Sequence, residues 1–145
     1  MPQLTAYLSF DGTCTEAMRF YERALGGKLT VLLTNGQSPM AAHIPPGNED
    51  RIIHARLEFE GGVLIAGDSM VGTGQPFQGM KGFNVTLIYR TAAEGKAVFD
   101  KLSEGATNVI MTWSDSFWAE GFGMLVDRYG TPWIVNGGMK TGWEK

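Results

Sequence analysis

The chain has 145 residues, of which 43% are hydrophobic and 19% are charged, so its composition is that of an ordinary folded protein and excludes an intrinsically disordered one. A net charge of −3 provides no basic field that could hold phosphate backbones, and we therefore expect no nucleic-acid partner. The single cysteine excludes an intrachain disulfide. The sequence has neither a signal-peptide pattern nor an apolar run of the roughly 20 residues that cross a bilayer. We therefore expect a cytoplasmic protein with no membrane partner.

The first predicted elements are a strand and a helix. Apolar residues occupy every second position from Leu4 to Phe10, which is the period of a strand with one buried face. Thr13 and Glu16 have the spacing of a capping box, in which the two side chains satisfy the first free amides of a helix. An apolar stripe and two terminal glycines complete the helix signal for residues 13–25. The stripe consists of Ala17, Phe20, Tyr21 and Ala24.

Three strands are predicted after this helix, at residues 29–33, 52–59 and 63–66, because each is a short apolar or alternating run bounded by turn residues. The segment 34–50 between the first two of these strands contains three of the six prolines and is long for a hairpin. Long irregular loops are often functional or mobile, and the sequence does not show whether this one closes over a site as a lid.

The same order of elements returns in the second half of the chain. The second set consists of a strand at 83–89, a helix at 91–102 and strands at 109–112, 124–126 and 133–135. A capping box recurs at Thr91 and Glu94. The sequence therefore predicts an α+β fold of two β-α-β-β-β modules, about 1–68 and about 83–138, joined by a linker of about 69–82.

One face of the predicted strand 52–59 carries the side chains that point to a function. His54, Arg56 and Glu58 alternate with apolar residues, so they share the face that is turned away from the core. Tyr7 lies on the corresponding polar face of the first strand. If both strands belong to one sheet, these four side chains line one side of it.

Three stretches of the chain resemble the PhnB-like branch of the vicinal-oxygen-chelate superfamily, which includes glyoxalases, bleomycin-resistance proteins and extradiol dioxygenases. They are YLSFDGTCTEAMRFYERALGG, IIHARLEFEGGVLIAGDS and SFWAEGFGMLVDRYGTPWIVN, and with the repeat order they cover most of the chain from Leu4 to Asn136. The resemblance implies that the two modules form a cupped mixed β-sheet around a small-molecule site, with the helices on its outer face. It also implies a homodimer.

The metal enzymes of this superfamily resemble one another in placing His or Glu ligands on the first and last strands of each module. In this chain those positions fall near Thr5, Asn84 and Ile134. These three residue types do not supply the imidazoles and carboxylates that hold a catalytic divalent ion. The comparison with the family therefore implies that the usual metal site is lost, and no residue is assigned as a metal ligand.

His54 and Glu58 are the candidate catalytic pair, because a carboxylate on the same strand face can orient a histidine that acts as a general base or metal ligand. A hydrogen-bonded structural histidine is the competing interpretation. Trp118 and Trp133 are candidate ligand contacts, since pockets are mostly apolar with a few polar groups. They are equally consistent with core or dimer contacts.

Three further residues have structural interpretations. Cys14 is expected to be a small buried side chain, because neither a second cysteine nor a partner histidine is near it in the sequence. Asp68 follows a buried strand and suits a cap or turn, since its carboxylate can accept hydrogen bonds from local amides. Asp127 has a glycine three residues later and therefore suits a type I turn.

Two functions are open from the sequence. The first is a small-molecule-binding protein of the bleomycin-resistance kind, in which Arg56 would hold an anionic group of the ligand. Its ligand contacts would be Tyr7, His54, Arg56, Trp118 and Trp133. The second is a metal-dependent lyase, isomerase or dioxygenase, in which a divalent metal chelates vicinal oxygens and stabilises an enolate-like charge. That enzyme would need His54 and at least two more ligands that the sequence does not identify, so we favour the binding protein, with no cofactor assigned.

Overall fold

The computed structural model describes residues 1–144, and its helices and strands follow the predicted order. The first module consists of β1 (Ala6–Phe10), α1 (Cys14–Leu25), β2 (Lys28–Thr34), β3 (Ile52–Phe59) and β4 (Gly62–Asp68). The second consists of β5 (Val85–Tyr89), α2 (Ala92–Leu102), β6 (Asn108–Ser114), β7 (Ala119–Val126) and β8 (Pro132–Met139). The predicted α+β class with two β-α-β-β-β modules is confirmed, and the strands form two four-stranded mixed sheets, one in each module.

The first sheet has the strand order β1-β4-β3-β2, in which β1 and β4 are parallel and the other neighbours are antiparallel. One face of this sheet is apolar: Leu8 pairs with Ala66, Ala66 pairs with Ala55, and all three are fully buried. The helix α1 contacts β2, β3 and β4, and the four residues of its predicted apolar stripe are buried. The helix therefore covers this face, as the sequence predicts.

The second sheet has the order β5-β8-β7-β6 and repeats the same arrangement. Leu87 pairs with Val135 on one face, and Trp133 pairs with Leu125 on the same face. These four residues are buried, and α2 contacts β5, β7 and β8. Each module thus has its own core between one helix and one face of its own sheet.

The first helix does not use the capping box that its sequence predicts. Thr13 is the N-cap residue, but its side chain makes no capping hydrogen bond. Oδ1 of Asp68 instead accepts hydrogen bonds from the backbone N–H groups of Gly12, at 2.9 Å, and Cys14, at 3.0 Å. Oδ2 of Asp68 accepts from the N–H of Ile52 at 2.9 Å. The prediction for Thr13 is wrong because its backbone, with φ −106° and ψ 11°, is not in the extended conformation from which an N-cap side chain reaches its helix. The Asp68 carboxylate lies at the start of the helix and ties it to β3.

The second helix forms the threonine half of its predicted capping box, while the carboxylate of Glu94 binds the hydroxyl of Thr91 and not a backbone amide. The hydroxyl oxygen of Thr91 accepts a hydrogen bond from the backbone N–H of Glu94 at 3.1 Å, and the same hydroxyl donates to Oε1 of Glu94 at 2.9 Å. The predicted end of the first helix is also confirmed, since Gly26 has a φ of 70°, a left-handed conformation that favours glycine.

Residues 69–84, which include the predicted linker, form neither helix nor strand. The described residues divide into two compact units, one at Met1–Gly79 and the other from Met80 onward. The loop between β2 and β3 contains a short 3-10 helix, Ala41–His43. No helix within residues 1–144 is long and apolar enough to cross a membrane.

Candidate functional site

The open face of the first sheet is the face that α1 does not cover. Strand register places Tyr7 of β1 opposite Ile65 of β4, and Ile65 opposite Arg56 of β3. Arg56 is in turn opposite Val31 of β2. Directly opposed residues point to the same face, and His54 lies two positions from Arg56 on the same strand. Tyr7, His54 and Arg56 therefore share this face, as the alternation of residues predicts, while their role as ligand contacts stays a prediction.

Tyr7 reaches across β4 towards a position that has no side chain. A Cβ added at Gly67 would collide with Oη of Tyr7 and would lie 3.1 Å from the carbonyl oxygen of Ile53. Burial raises the pKa of Tyr7, and nearby Cys14 and Asp68 add to this effect. The hydroxyl therefore keeps its proton at neutral pH and is a hydrogen-bond donor on the open face.

Arg56 carries a positive charge on the open face and is held by Glu58. Its Nε donates to Oε2 of Glu58 at 3.1 Å, and the hydroxyl of Thr30 donates to the same oxygen at 3.0 Å. These hydrogen bonds lower the pKa of Glu58, with that from Arg56 as the larger cause, so the carboxyl is ionised at neutral pH. Neither terminal nitrogen of the guanidinium has a partner among residues 1–144, which leaves both for an anion.

His54 is half-buried and lies opposite Leu33 of β2. A catalytic pair would need Glu58 to orient His54, but Glu58 accepts its hydrogen bonds from Arg56 and Thr30. Within the described part of the chain, no hydrogen bond joins Glu58 to His54. The imidazole can exchange hydrogen bonds with a ligand, but it lacks the oriented partner that a general base needs. The predicted catalytic role of His54 and Glu58 therefore gains no support from this geometry.

Trp118 belongs to the second module, where it forms part of an aromatic cluster. Its indole N–H donates to Oδ1 of Asn136 at 2.9 Å. Its ring makes edge-to-face contacts with Phe122 and Phe117, with centroid separations of 4.7 and 4.8 Å, and Phe117 also contacts Trp143 at 5.4 Å. Phe117 is 67% exposed, so the cluster presents an apolar surface.

Trp133 has a different environment from Trp118. It is fully buried, and its indole N–H donates to Oδ2 of Asp127 at 2.8 Å. Oδ1 of Asp127 accepts from the backbone N–H groups of Tyr129 and Thr131, and the N–H of Gly130 donates to the Asp127 carbonyl, which confirms the predicted turn. Trp133 is thus part of the core of the second module, and a ligand could touch it only if that core opened.

Comparison with known protein families agrees with the module order and with the three sequence stretches. Residues 3–135 match the model of the Glyoxalase/Bleomycin resistance protein/Dioxygenase superfamily. This chain belongs to that superfamily.

Individual proteins match the chain over nearly its whole length. It is 33% identical to Protein YjdN of Escherichia coli (strain K12) over 141 residues, which cover 92% of this chain and 93% of that protein. The crystal structure of protein PA1353 from Pseudomonas aeruginosa superposes with a TM-score of 0.85 at 38% identity, covering 95% of this chain and 98% of that one. A Bacillus cereus structure described as "Putative 3-demethylubiquinone-9 3-methyltransferase, PhnB protein" superposes with a TM-score of 0.71 at 26% identity, covering 94% and 99%. These similarities confirm the predicted resemblance to the PhnB-like branch.

The residues near which the resemblance puts the metal-ligand positions do not fit a divalent metal. Thr5 precedes β1, Asn84 precedes β5, and Ile134 lies within β8. An isoleucine has no donor atom, and neutral hydroxyl and amide oxygens are weak replacements for imidazole and carboxylate. Across residues 1–144, no group of three or more His, Cys, Asp or Glu side chains is arranged to hold a metal ion. We therefore derive no chemical step through a metal.

Proposed function

We propose that this protein binds a small organic anion on the open face of its first sheet and that binding needs no metal ion. The observation that carries this proposal is the register that puts Tyr7, His54 and Arg56 on the side of one sheet that α1 does not cover. Ligand sites are mostly apolar with a few polar groups that fix orientation. Ile65 provides apolar surface between Tyr7 and Arg56, and Val31 provides it on the other side of Arg56.

Arg56 gives the site its preference for an anion. Its guanidinium is permanently charged, and Glu58 occupies only Nε, so the two terminal nitrogens can bind a carboxylate or sulfonate in a bidentate manner. The protonated hydroxyl of Tyr7 is a second donor, and His54 is a third group that can hydrogen-bond the ligand. The ligand's apolar part would lie over Ile65, which separates Tyr7 from Arg56 in the register.

Neither enzymatic alternative has comparable support. The metal-dependent lyase, isomerase or dioxygenase would need ligands that Thr5, Asn84 and Ile134 do not provide. We also do not extend the methyltransferase name of the Bacillus cereus protein to this chain, because its sequence has no glycine-rich cofactor loop of the expected kind after a strand.

A fluorescence titration with 8-anilinonaphthalene-1-sulfonate tests the proposal, because this probe combines a sulfonate with a flat apolar body. We expect saturable binding of one probe per chain, and binding about tenfold weaker for Arg56→Gln because a charge-assisted hydrogen-bonded pair is lost. Arg19→Gln is the matched control, since Arg19 also pairs with a glutamate on the surface, Glu22, but lies on α1. Equal affinities in the two variants would contradict the proposal.

A further inference from the structure

A second surface of the first module borders an open-sided cavity of about 500 Å³ that the site on the sheet does not use. Its wall is formed by Asp11, which follows β1, and by residues between 69 and 77, which follow β4. None of Tyr7, His54, Arg56 and Glu58 lines it. The volume lies within the range of roughly 300–1,000 Å³ that is typical of small-molecule sites.

Side chains from outside the cavity hold its wall in place. Asn48 is fully buried, and its amide forms two hydrogen bonds with the backbone of Val71: Nδ2 donates to the carbonyl at 3.0 Å, and Oδ1 accepts from the N–H at 2.8 Å. Nη1 of Arg51 donates to Oδ1 of Asp11 at 2.9 Å and to the carbonyl of Ser69 at 2.8 Å. The wall is therefore fixed to the loop between β2 and β3, so its shape does not depend on the segment after β4 alone.

The wall combines apolar surface with one acidic group. Met70, Val71, Pro76 and Phe77 supply the apolar part. Among the described residues that line the cavity, Asp11 alone has an ionisable side chain. Arg51 binds Oδ1 of this carboxylate, while Oδ2 has no partner within residues 1–144 and the side chain is 53% exposed. Because Arg51 balances the charge of Asp11, the preference of the cavity rests on the free Oδ2, which accepts a hydrogen bond from an N–H donor and offers none to an anion.

We propose that this cavity binds a small amine. The ammonium group donates to Oδ2 of Asp11, and the apolar body lies against Val71 and Phe77. A cation that stacks on the Phe77 ring gains attraction beyond the contact area. This site differs from the anion site in both location and ligand charge.

Titration with phenethylammonium, followed in ¹H–¹⁵N correlation spectra, tests this proposal. We expect saturating shifts concentrated at Asp11 and at residues 69–77, with a dissociation constant on the order of 1 mM for so small a ligand. The carboxylate analogue 3-phenylpropionate has the same ring with the opposite charge and should shift these signals at least about fivefold more weakly. Shifts distributed elsewhere, or equal binding of both probes, would overturn the proposal.

Two variants and one control separate binding from folding. Asp11→Asn should weaken phenethylammonium binding by about fivefold, because it removes the charge from the cavity. Phe77→Ala leaves the hydrogen bonds of Arg51 in place and should weaken binding by about threefold. Asp100→Asn is the matched control, since Asp100 is similarly exposed and is paired with Lys96 on α2. Wild-type affinity in both Asp11→Asn and Phe77→Ala would refute the amine site.

Discussion

Burial determines the acid–base behaviour of Cys14. Its thiol is fully buried, and burial, together with the negative charge of Asp68, raises its pKa from 9.0 to about 12. The unfolded chain releases this proton near the lower value, so at high pH the unfolded state binds fewer protons than the folded state and becomes favoured. The stability contributed by the protonated thiol is complete below about pH 9 and is lost as the pH rises towards 12.

We predict that the free energy of unfolding of the wild type falls by about 1 kcal/mol more than that of Cys14→Ala between about pH 8 and about pH 10. Urea unfolding at the two pH values measures this difference. Tyr7 also has a raised pKa, but it is present in both proteins, so its effect cancels. If the free energy of unfolding has the same pH dependence in the two proteins, burial does not raise the pKa of the Cys14 thiol as the structure indicates.

Trp118 and Trp133 show what the sequence can tell about a single residue. Both are aromatic residues near turns, and both were equally consistent with a pocket or a core. The structure separates them by their hydrogen-bond partners, Asn136 for Trp118 and the buried Asp127 for Trp133. Such partners follow from tertiary packing, which the local pattern around a tryptophan does not encode.

The two helices start in different ways although their sequences carry the same capping box. Thr91 has an extended backbone and accepts a hydrogen bond from its helix, whereas Thr13 has a ψ of 11° and does not, and Asp68 binds the amide of Cys14 instead. The capping-box rule uses only residues within one segment, whereas Asp68 is 54 positions from Cys14. The sequence therefore predicts both helices correctly but predicts only one of the two caps.

We predict that Thr91→Ala lowers the free energy of unfolding by about 1 kcal/mol, the usual cost of losing an N-cap side chain. Thr13→Ala should change it by less than about 0.5 kcal/mol, because no capping hydrogen bond is lost. Denaturant unfolding of both variants alongside the wild type makes the comparison. A larger loss for Thr13→Ala than for Thr91→Ala would contradict the caps described.

The strands illustrate how far alternation can position a site. The period of two in β1 and β3 correctly puts Tyr7, His54 and Arg56 on one face, because it depends only on strand geometry. The same period in β4 puts Ile65 on that face. It fails in β2, where a bulge between Leu29 and Val31 turns Val31 to the open face although Leu29 pairs with the buried Leu57. The pairing of Glu58 with Arg56 and not with His54 depends on side-chain contacts, which the periodicity of the sequence does not predict.

At the scale of the whole molecule, the repeat was the most informative feature of the sequence. Two helix signals, each with strands at matching positions, are enough to predict the α+β class, since local patterns and module order agree, whereas the superfamily follows from the resemblance of three sequence stretches. Function does not follow in the same way, because this fold serves many chemistries and the site must be argued from its own residues. The homodimer that the resemblance implies stays a prediction, as does a lid function for residues 34–50.

The central claim is that this member of the superfamily binds an organic anion without a metal, and elemental analysis of the purified protein tests it most directly. Wild type and His54→Ala are compared after chelation and re-addition of zinc, nickel, manganese and iron(II). The donor set predicts that both proteins retain far less than one metal ion per chain, while the wild type still binds 8-anilinonaphthalene-1-sulfonate. A metal content near one ion per chain that is lost in His54→Ala would contradict the account and would favour a metalloenzyme.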